Sequence, residues 1–229
     1  MSAQQAVWLY GSLARGDQSP RSDVDILVVG DGDPPDRIHV LYPGHYKAIS
    51  QYSWTEMERM AGYGSVFLHH LQREARPLIR NQAADRRLAR MLETLGPYLQ
   101  AESDLLAFRA TLDDISDALR GDCAPDYEMA VLGSVARHAS VLACFVSGGP
   151  VFGREVAFGR LREVLGLARD PRSALMRIYE YRLAEERGIR LAHRATRDDV
   201  ERGLVLIRGI VERLEGLVHG YSRAVHSTA

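Results

Sequence analysis

The chain has 229 residues, enough for one large domain or two small ones with a buried core. Its 29 lysine and arginine residues nearly cancel its 30 aspartate and glutamate residues, and the net charge is −1. Bulk electrostatics therefore do not indicate a nucleic-acid partner. The two cysteines, Cys123 and Cys144, are too few for a disulfide framework.

The sequence shows no targeting or membrane-spanning pattern. The N-terminus lacks a basic segment followed by an apolar core, so no signal peptide is expected. The most apolar segment, at residues 131–151, is interrupted by Arg137 and His138 and lacks the run of about 18 apolar residues that a membrane span needs. We therefore expect a soluble, cytoplasmic protein without a membrane partner.

Three short elements are predicted at the start of the chain. The apolar run at residues 6–10 indicates a strand, residues 12–18 a short helix, and residues 23–29 a second strand. Because side chains alternate along a strand, Asp23 and Asp25 are expected on one face, and the apolar residue between them faces the core.

Two further strands are predicted at residues 38–42 and 46–52, joined as a hairpin by a Pro-Gly turn. Helices are expected to follow from about residues 54 and 66. The second of these must end near Pro77, because proline cannot continue a helix.

Beyond Arg80 the pattern changes to apolar stripes at helical spacing. We therefore predict an α+β protein with a small mixed-sheet domain at residues 1–80 and an all-helical bundle of about five or six helices at residues 81–229. The stripes lie at residues 88–95, 105–119, 131–145, 158–165, 175–183 and 200–221.

The first two predicted strands frame a polar motif with chemical meaning. Asp23 and Asp25 would lie ~6–7 Å apart at Cα, close enough to share hard cations through their oxygens. The Gly11-Ser12 turn before the short helix offers backbone N–H groups to a phosphate. A phosphate seat beside metal-binding carboxylates is typical of phosphoryl or nucleotidyl transfer.

The motif GSLARGDQSPRSDVDILVV at residues 11–29 resembles the signature of the DNA polymerase β-type nucleotidyltransferase superfamily. Within that superfamily it is similar to the minimal nucleotidyltransferases and the aminoglycoside nucleotidyltransferases. The resemblance implies an enzyme that moves a nucleoside monophosphate from ATP or another NTP, with Mg²⁺, to a hydroxyl acceptor. That acceptor would be a small molecule or a protein side chain.

The resemblance also implies roles for single residues. Asp23 and Asp25 would be the catalytic carboxylates that hold Mg²⁺. Asp17 is interpreted as a structural partner for an arginine or a backbone N–H. The predicted nucleotide-binding residues are Gly11, Ser12, Arg15, Arg21 and Lys47.

The family pattern has a third carboxylate on a later strand, where it often serves as the base. Here Ala48 or Ser50 occupies the expected position. Three accounts stay open: an acid such as Glu56 or Glu74 reaches in, transfer uses two carboxylates with His45 or a substrate group as base, or the domain binds nucleotide without efficient transfer. The last account describes an antitoxin-like interaction module.

The helical half allows two interpretations. It would be the C-terminal domain of aminoglycoside-type enzymes, where an acid can act as base, or a HEPN-like RNase domain with Arg187 and His193 as its motif. Separately, the stripe at residues 200–221 indicates either a homodimer seam or burial within the bundle. The acids considered as bases are Asp104, Asp113, Asp114, Asp117 and Glu128.

Overall fold

The structure, a computed structural model, describes residues 5–18 and 22–228. The chain separates into two compact units, Met1–Leu99 and Gln100–Ala229. A small mixed sheet lies in the first unit and the second is helical, which confirms the predicted α+β class.

The described part of the first unit contains a four-stranded sheet in the order β3-β2-β1-β4. Strand β1 pairs antiparallel with both β2 and β4, whereas β2 pairs parallel with β3. Asp25 stands opposite Tyr10 on one side and Ala48 on the other. The strands are β1 (Ala6–Tyr10), β2 (Val24–Val29), β3 (Lys47–Tyr52) and β4 (Arg76–Ile79).

Helices of the first unit begin at polar caps or directly after strands. Ser53 forms a capping box with Glu56, while Ser65 and Asn81 cap the next two long helices. The helices are α1 (Gly11–Arg15), α2 (Arg37–Val40), α3 (Trp54–Gly62), α4 (Val66–Glu74) and α5 (Gln82–Glu93).

Both faces of the sheet are buried, which explains why β1 and β2 read as nearly continuous apolar runs. On one face, Trp8 and Leu27 belong to a core cluster with residues of α3, α4 and α5. On the other face, Val7 and Ile26 form a second cluster with Ile38 of α2. The predicted alternation along β2 is therefore confirmed.

Two local predictions for this unit are wrong. Residues 38–42 do not form a strand, because α2 occupies this segment and no hairpin precedes β3. Parallel pairing of β2 with β3 requires a crossover connection rather than a hairpin, and α2 lies within that crossover. The predicted helix at residues 12–18 is shorter, since α1 ends at Gly16 in a left-handed conformation.

The predicted domain boundary near Arg80 and the division at Leu99 differ by the position of α5. Leu88 and Leu92 of α5 are buried in the same cluster as Trp8, so this helix packs with the first unit. Strand β4, which the sequence reasoning missed, also adds residues 76–79 to the sheet.

The described part of the second unit contains five helices, with α7 at its centre. This helix packs against α8, α9 and α10, and 13 of its residues are buried. The helices are α6 (Ala101–Ala118), α7 (Pro125–Val146), α8 (Arg154–Val164), α9 (Arg172–Arg187) and α10 (Arg197–Thr228).

Helix α7 is, within the described chain, the one helix long and apolar enough to cross a membrane by length and composition. The sequence reasoning did not anticipate this, because it required an uninterrupted apolar run. Since 67% of the apolar window is buried inside the protein, the helix fits a protein core equally well, and the support for a membrane span is weak.

The apolar stripe of α10 is buried within its own unit. Val200, Ile207 and Leu214 are fully buried, and α10 packs on α6 and α7. The structure thus favours burial within the bundle over a dimer seam for this stripe.

Candidate functional site

The candidate site begins where Gly11 meets Asp25. Gly11 has a φ of +73°, and a Cβ atom built on it would lie 2.0 Å from Oδ2 of Asp25. No side chain fits there, and the left-handed backbone also disfavours one. The sequence predicts that Gly11 binds a phosphate of the nucleotide. The structure adds that the Asp25 carboxylate itself needs the space.

Asp23 lies directly before β2, and both Asp23 and Asp25 are half-buried rather than enclosed. The backbone between them is held in the sheet, because Val24 N–H donates to the carbonyl of Tyr46 at 2.9 Å. The hydrogen bonds of the sheet therefore fix the backbone that carries these two carboxylates, and the carboxylates remain accessible to a cation.

A third carboxylate, from Glu74 at the end of α4, reaches the same turn. Its Oε1 accepts the Gly11 N–H at 3.0 Å. Arg15 donates to both carboxylate oxygens of Glu74 at 2.8 Å. His70 contacts Oε1 through its Nε2 atom. Gly11 therefore lies in contact with two acids that are remote from each other in the sequence.

Aromatic and hydroxyl groups line this corner. The ring of Tyr10 lies edge-on to His70, with 5.6 Å between centroids, and edge-on to Phe67 at 5.7 Å. The Tyr10 hydroxyl forms a 2.8 Å hydrogen bond with the Ser50 hydroxyl. Tyr10 thus connects β3 to α4 beside the Gly11 turn.

Arg15 is engaged by carboxylates within the protein. Besides Glu74, it contacts Asp17, with its Nε 3.0 Å from Oδ2. Burial works to lower the pKa of Arg15, but the bonds to Asp17 and Glu74 outweigh it, and the pKa lies above its ordinary value. The interpretation of Asp17 as a structural partner of an arginine is confirmed.

The other predicted nucleotide-binding residues differ in placement. Ser12 lies in α1, and its carbonyl accepts the N–H groups of Gly16 and Asp17 at the C-terminal end of that helix. Arg21 lies outside the described residues. The proposed roles of Ser12 and Arg21 stay predictions.

Lys47 lies on the other face of the sheet. It stands opposite Val24, while Ala48 stands opposite Asp25, and residues paired across strands share a face. The Lys47 ammonium also donates to two carbonyls of the preceding loop, each at 3.4 Å. Its role in nucleotide binding stays a prediction that this placement does not favour.

The structure separates the candidates for the missing third acid. Ala48 stands opposite Asp25 and Ser50 opposite Leu27, so whichever of the two holds the expected position, it is not an acid. Glu56 is exposed and serves the Ser53 capping box, whereas Glu74 reaches Gly11. His45 is exposed in the loop before β3.

Sequence reasoning named Glu74 among several acids but missed His70 and Tyr10. The available signal was the spacing of His70 and Glu74, four residues apart on one face of an apolar helix. The neighbouring His69 contacts the carbonyl of Gly96, so it faces in a different direction from His70, which contacts Glu74.

The donor set at Asp23 and Asp25 fits Mg²⁺. Among the described residues, no group of three or more His, Cys, Asp or Glu side chains forms a metal cluster. Mg²⁺ does not require one, because it is usually held by one or two carboxylates together with substrate phosphates and water. The space against Gly11 leaves the Asp25 carboxylate at the turn where a phosphate would lie.

Two of the acids considered as bases in the second unit form ion pairs with arginines of the same unit. Asp113 pairs with Arg208 at 3.0 Å, and Asp117 pairs with Arg120. Arg187 ends α9, and His193 is exposed in the loop that follows. The interpretation of these two residues as an RNase motif stays a prediction.

Comparison with known proteins gives a clear family assignment. No curated protein matches the chain significantly. Among solved structures, spectinomycin adenyltransferase AAD(9) from Enterococcus faecialis, with ATP and spectinomycin, aligns at 14% identity over 92% of this chain and 91% of that one. Its TM-score of 0.47 is too low to support an argument. The model of the nucleotidyltransferase domain matches residues 2–117, about half of the chain, and the chain therefore belongs to the nucleotidyltransferase domain family.

Proposed function

We propose that this protein is a Mg²⁺-dependent nucleotidyltransferase that moves a nucleoside monophosphate from ATP or another NTP to a hydroxyl acceptor. The observation that carries the proposal is the contact between Gly11 and Asp25, in a chain of the nucleotidyltransferase family. Because Gly11 has no side chain, the Asp25 carboxylate can lie against the turn that would bind the phosphates. The acceptor would be a small molecule, as the resemblance to aminoglycoside enzymes suggests, or a protein side chain.

The reaction exchanges one phosphorus–oxygen bond for another. The acceptor hydroxyl oxygen bonds to the α-phosphorus, the bond from that phosphorus to the bridging oxygen breaks, and pyrophosphate leaves. The hydroxyl proton passes to a base. When bound by Asp23 and Asp25, Mg²⁺ would neutralise charge on the triphosphate.

The protein's own residues contribute position and electrostatics. Asp23 and Asp25 are fixed by the head of β2, so the charge that faces the nucleotide does not need to reorganise during the reaction. The Gly11 N–H is bound to Glu74, and the N–H groups that follow it in the first turn of α1 would face the phosphates near the same place. Holding acceptor and α-phosphate together supplies much of the rate acceleration in reactions of this class.

The test uses ATP and the other NTPs, each labelled at the α-phosphate, with Mg²⁺ and a panel of aminoglycosides and hydroxyl-bearing proteins. The wild type should transfer label to an acceptor and release pyrophosphate. Asp25→Asn and Asp23→Asn should each lower the rate about a hundredfold or more, because each removes one of two charges that hold the metal. Chelation of Mg²⁺ should stop the wild-type reaction, and added Mg²⁺ should restore it.

Asp33→Asn is the matched control, since Asp33 is exposed in the loop after β2 and the substitution makes the same change of charge. It should retain wild-type activity. If the wild type binds no nucleotide in the presence of Mg²⁺, the proposal is contradicted. Equal losses in Asp25→Asn and Asp33→Asn would contradict the assigned role of Asp25.

A nucleotide-binding module without transfer is the second candidate. It is favoured by one observation, the absence of an acid at Ala48 and Ser50 in β3. Tight binding of ATP by the wild type without pyrophosphate release, over the whole acceptor panel, would select this candidate.

A further inference from the structure

Glu74 bridges the two ends of α1. Its carboxylate accepts the backbone N–H of Gly11, the first residue of that helix, at 3.0 Å. It also accepts two bonds from the guanidinium of Arg15, the last residue, at 2.8 Å. Gly11 and Glu74 are 63 residues apart in the sequence, so this bridge exists only in the folded protein.

A helix of five residues needs such a bridge. Isolated helices of this length are unstable in water, because the nucleation cost exceeds the gain from one or two hydrogen bonds. At the C-terminal end of α1, the Ser12 carbonyl accepts the N–H groups of Gly16 and Asp17 at 2.9 and 3.1 Å. Contacts from outside α1 must therefore hold its position.

Helix α4 places the carboxylate firmly. Leu68 and Leu71 are fully buried in the core cluster that contains Tyr10, so the helix is anchored to the sheet. His70 and Glu74 are one turn apart on α4, and Nε2 of His70 contacts Glu74. The Glu74 side chain is only 8% exposed.

The bridge is a charged one. Burial works to raise the pKa of Glu74, but His70 and Arg15 outweigh burial, and the pKa lies below its ordinary value. Glu74 is therefore ionised at neutral pH, and one guanidinium nitrogen of Arg15, Nη1, donates to both of its carboxylate oxygens. Bonds of this kind are stronger and more directional than those of a neutral pair.

The same contacts argue against Glu74 as a metal ligand or general base. Oε1 of Glu74 already accepts from Gly11, Arg15 and His70, and Oε2 accepts from Arg15. A cation would have to displace one of these donors. A carboxylate whose pKa lies below its ordinary value is also a weak base for a hydroxyl proton.

We infer that Glu74 is a positioning residue, which holds the Gly11–Arg15 turn against Asp25 so that the turn can receive the triphosphate. This inference rests on the proposed function. Glu74 acts through Gly11 and Arg15 and does not itself touch the reacting atoms.

Glu74→Gln tests the inference, because it removes the charge and keeps the shape. We expect the Kd for ATP and the KM for the nucleotide to rise about ten- to hundredfold, the size expected for losing a buried charge-assisted hydrogen bond. The kcat should change much less, and the Mg²⁺ concentration for half-maximal rate should stay the same. Amide hydrogen exchange at Gly16 and Asp17 should accelerate in the nucleotide-free protein.

Glu58→Gln is the matched control, since Glu58 in the same unit pairs with Arg87 at 2.6 Å on the exposed surface. It should leave Kd, KM and amide exchange in α1 unchanged. If Glu74→Gln fails to fold, Arg15→Lys tests the same bridge, because lysine keeps the charge but has one nitrogen, whereas Arg15 contacts Glu74 through Nη1 and Asp17 through Nε. It should raise KM and accelerate exchange in α1 in the same way.

The outcomes are distinguishable. A wild type that binds no ATP rejects the proposed function and the inference with it. A wild type that binds ATP, with Glu74→Gln or Arg15→Lys indistinguishable from it, overturns the inference alone. A collapse of kcat in Glu74→Gln together with a raised Mg²⁺ requirement would also overturn it, since that result identifies a metal ligand.

Discussion

Two glycines, one in each unit, show how differently the two parts of this protein use close approach. Gly11 has a φ of +73°, and an added Cβ would lie 2.0 Å from the carboxylate of Asp25. Gly133 lies inside α7, where an added Cβ would lie 3.1 Å from the carbonyl oxygen of Ile178 and 3.2 Å from Cα of Tyr179. The first glycine makes room for a charge, and the second lets two helices pack backbone to backbone.

The two surroundings indicate different roles: Gly11 lies in the candidate functional site, and Gly133 lies in a structural interface between helices. Around Gly11 the polar groups of Asp25, Glu74 and Arg15 converge, and the apolar core lies behind them. Around Gly133 the interface of α7 and α9 is held mainly by buried apolar side chains, such as Leu132 and Ile178. Substitutions in the first region should therefore alter chemistry, whereas those in the second should alter stability.

The largest effect is expected from Gly11→Ala. Its backbone strain alone costs about 1–3 kcal/mol, and the new methyl group would displace the Asp25 carboxylate. We expect nucleotide binding and transfer to fall at least a hundredfold, about the loss expected for Asp25→Asn. Isothermal titration with ATP and urea unfolding would measure the two effects separately.

Gly16→Ala is the control for this prediction. Gly16 also has a left-handed backbone, with a φ of +81°, but among the described residues, its two chain neighbours apart, no atom lies within 4 Å of an added Cβ. It should lose about 1–2 kcal/mol of stability from strain and keep its affinity for nucleotide. Equal loss of affinity in the two variants would show that strain, and not the Asp25 contact, explains the requirement at Gly11.

An intermediate effect is expected from Gly133→Leu, which places a large side chain against the backbone of α9. Overpacking of this kind costs about 1–3 kcal/mol of unfolding free energy. Gly209→Ala in α10 is the control, because nothing lies within 4 Å of its added Cβ, and it should gain about 0.5–1 kcal/mol. Urea unfolding checks both, and a stable Gly133→Leu protein would refute the close packing of α7 on α9.

The smallest effect is expected from Asp199→Asn, which tests a polar cluster at the start of α10 in the second unit. Asp199 accepts hydrogen bonds from the hydroxyl and N–H of Thr196 and from Arg202, and these lower its pKa to about 2. Its contribution to stability is therefore fully present above the ordinary value of 3.8 and is lost as the pH falls towards 2. The Tm of wild type should exceed that of Asp199→Asn by a few degrees or less at pH 7.

The difference in Tm between these two proteins should shrink between pH 4 and pH 2.5, because Asp199 takes up a proton in the unfolded protein in that range, whereas in the folded protein its pKa is about 2. Nucleotide affinity should be the same in both proteins at pH 7. A Tm difference that is independent of pH would show that the Asp199 charge does not hold the start of α10.

Much of the site was predictable because it follows from local rules. The spacing of Gly11, Asp23 and Asp25 is visible in the sequence, and strand alternation places Asp25 on the face of Leu27. The apolar stripes of the second half also became helices, since a period of 3.6 residues is a local property.

The wrong prediction of a strand and a hairpin at residues 38–42 has a cause outside that segment. Residues 38–42 contain Ile38, Val40 and Tyr42, which favour a strand locally, yet the parallel pairing of β2 and β3 turns this segment into a crossover with a short helix. That pairing depends on the whole sheet and cannot be recognised from the sequence of five residues.

By itself the sequence determined which groups are available for chemistry: a glycine-serine turn, two carboxylates at the head of a strand, and no acid where β3 would supply a third. Only the tertiary structure decided that Glu74, 63 residues from Gly11, holds that turn, and that Lys47 lies on the far face of the sheet. The physical reason is that alternation and helical spacing act between neighbours along the chain. Contacts between distant segments are selected by the packing of the complete core.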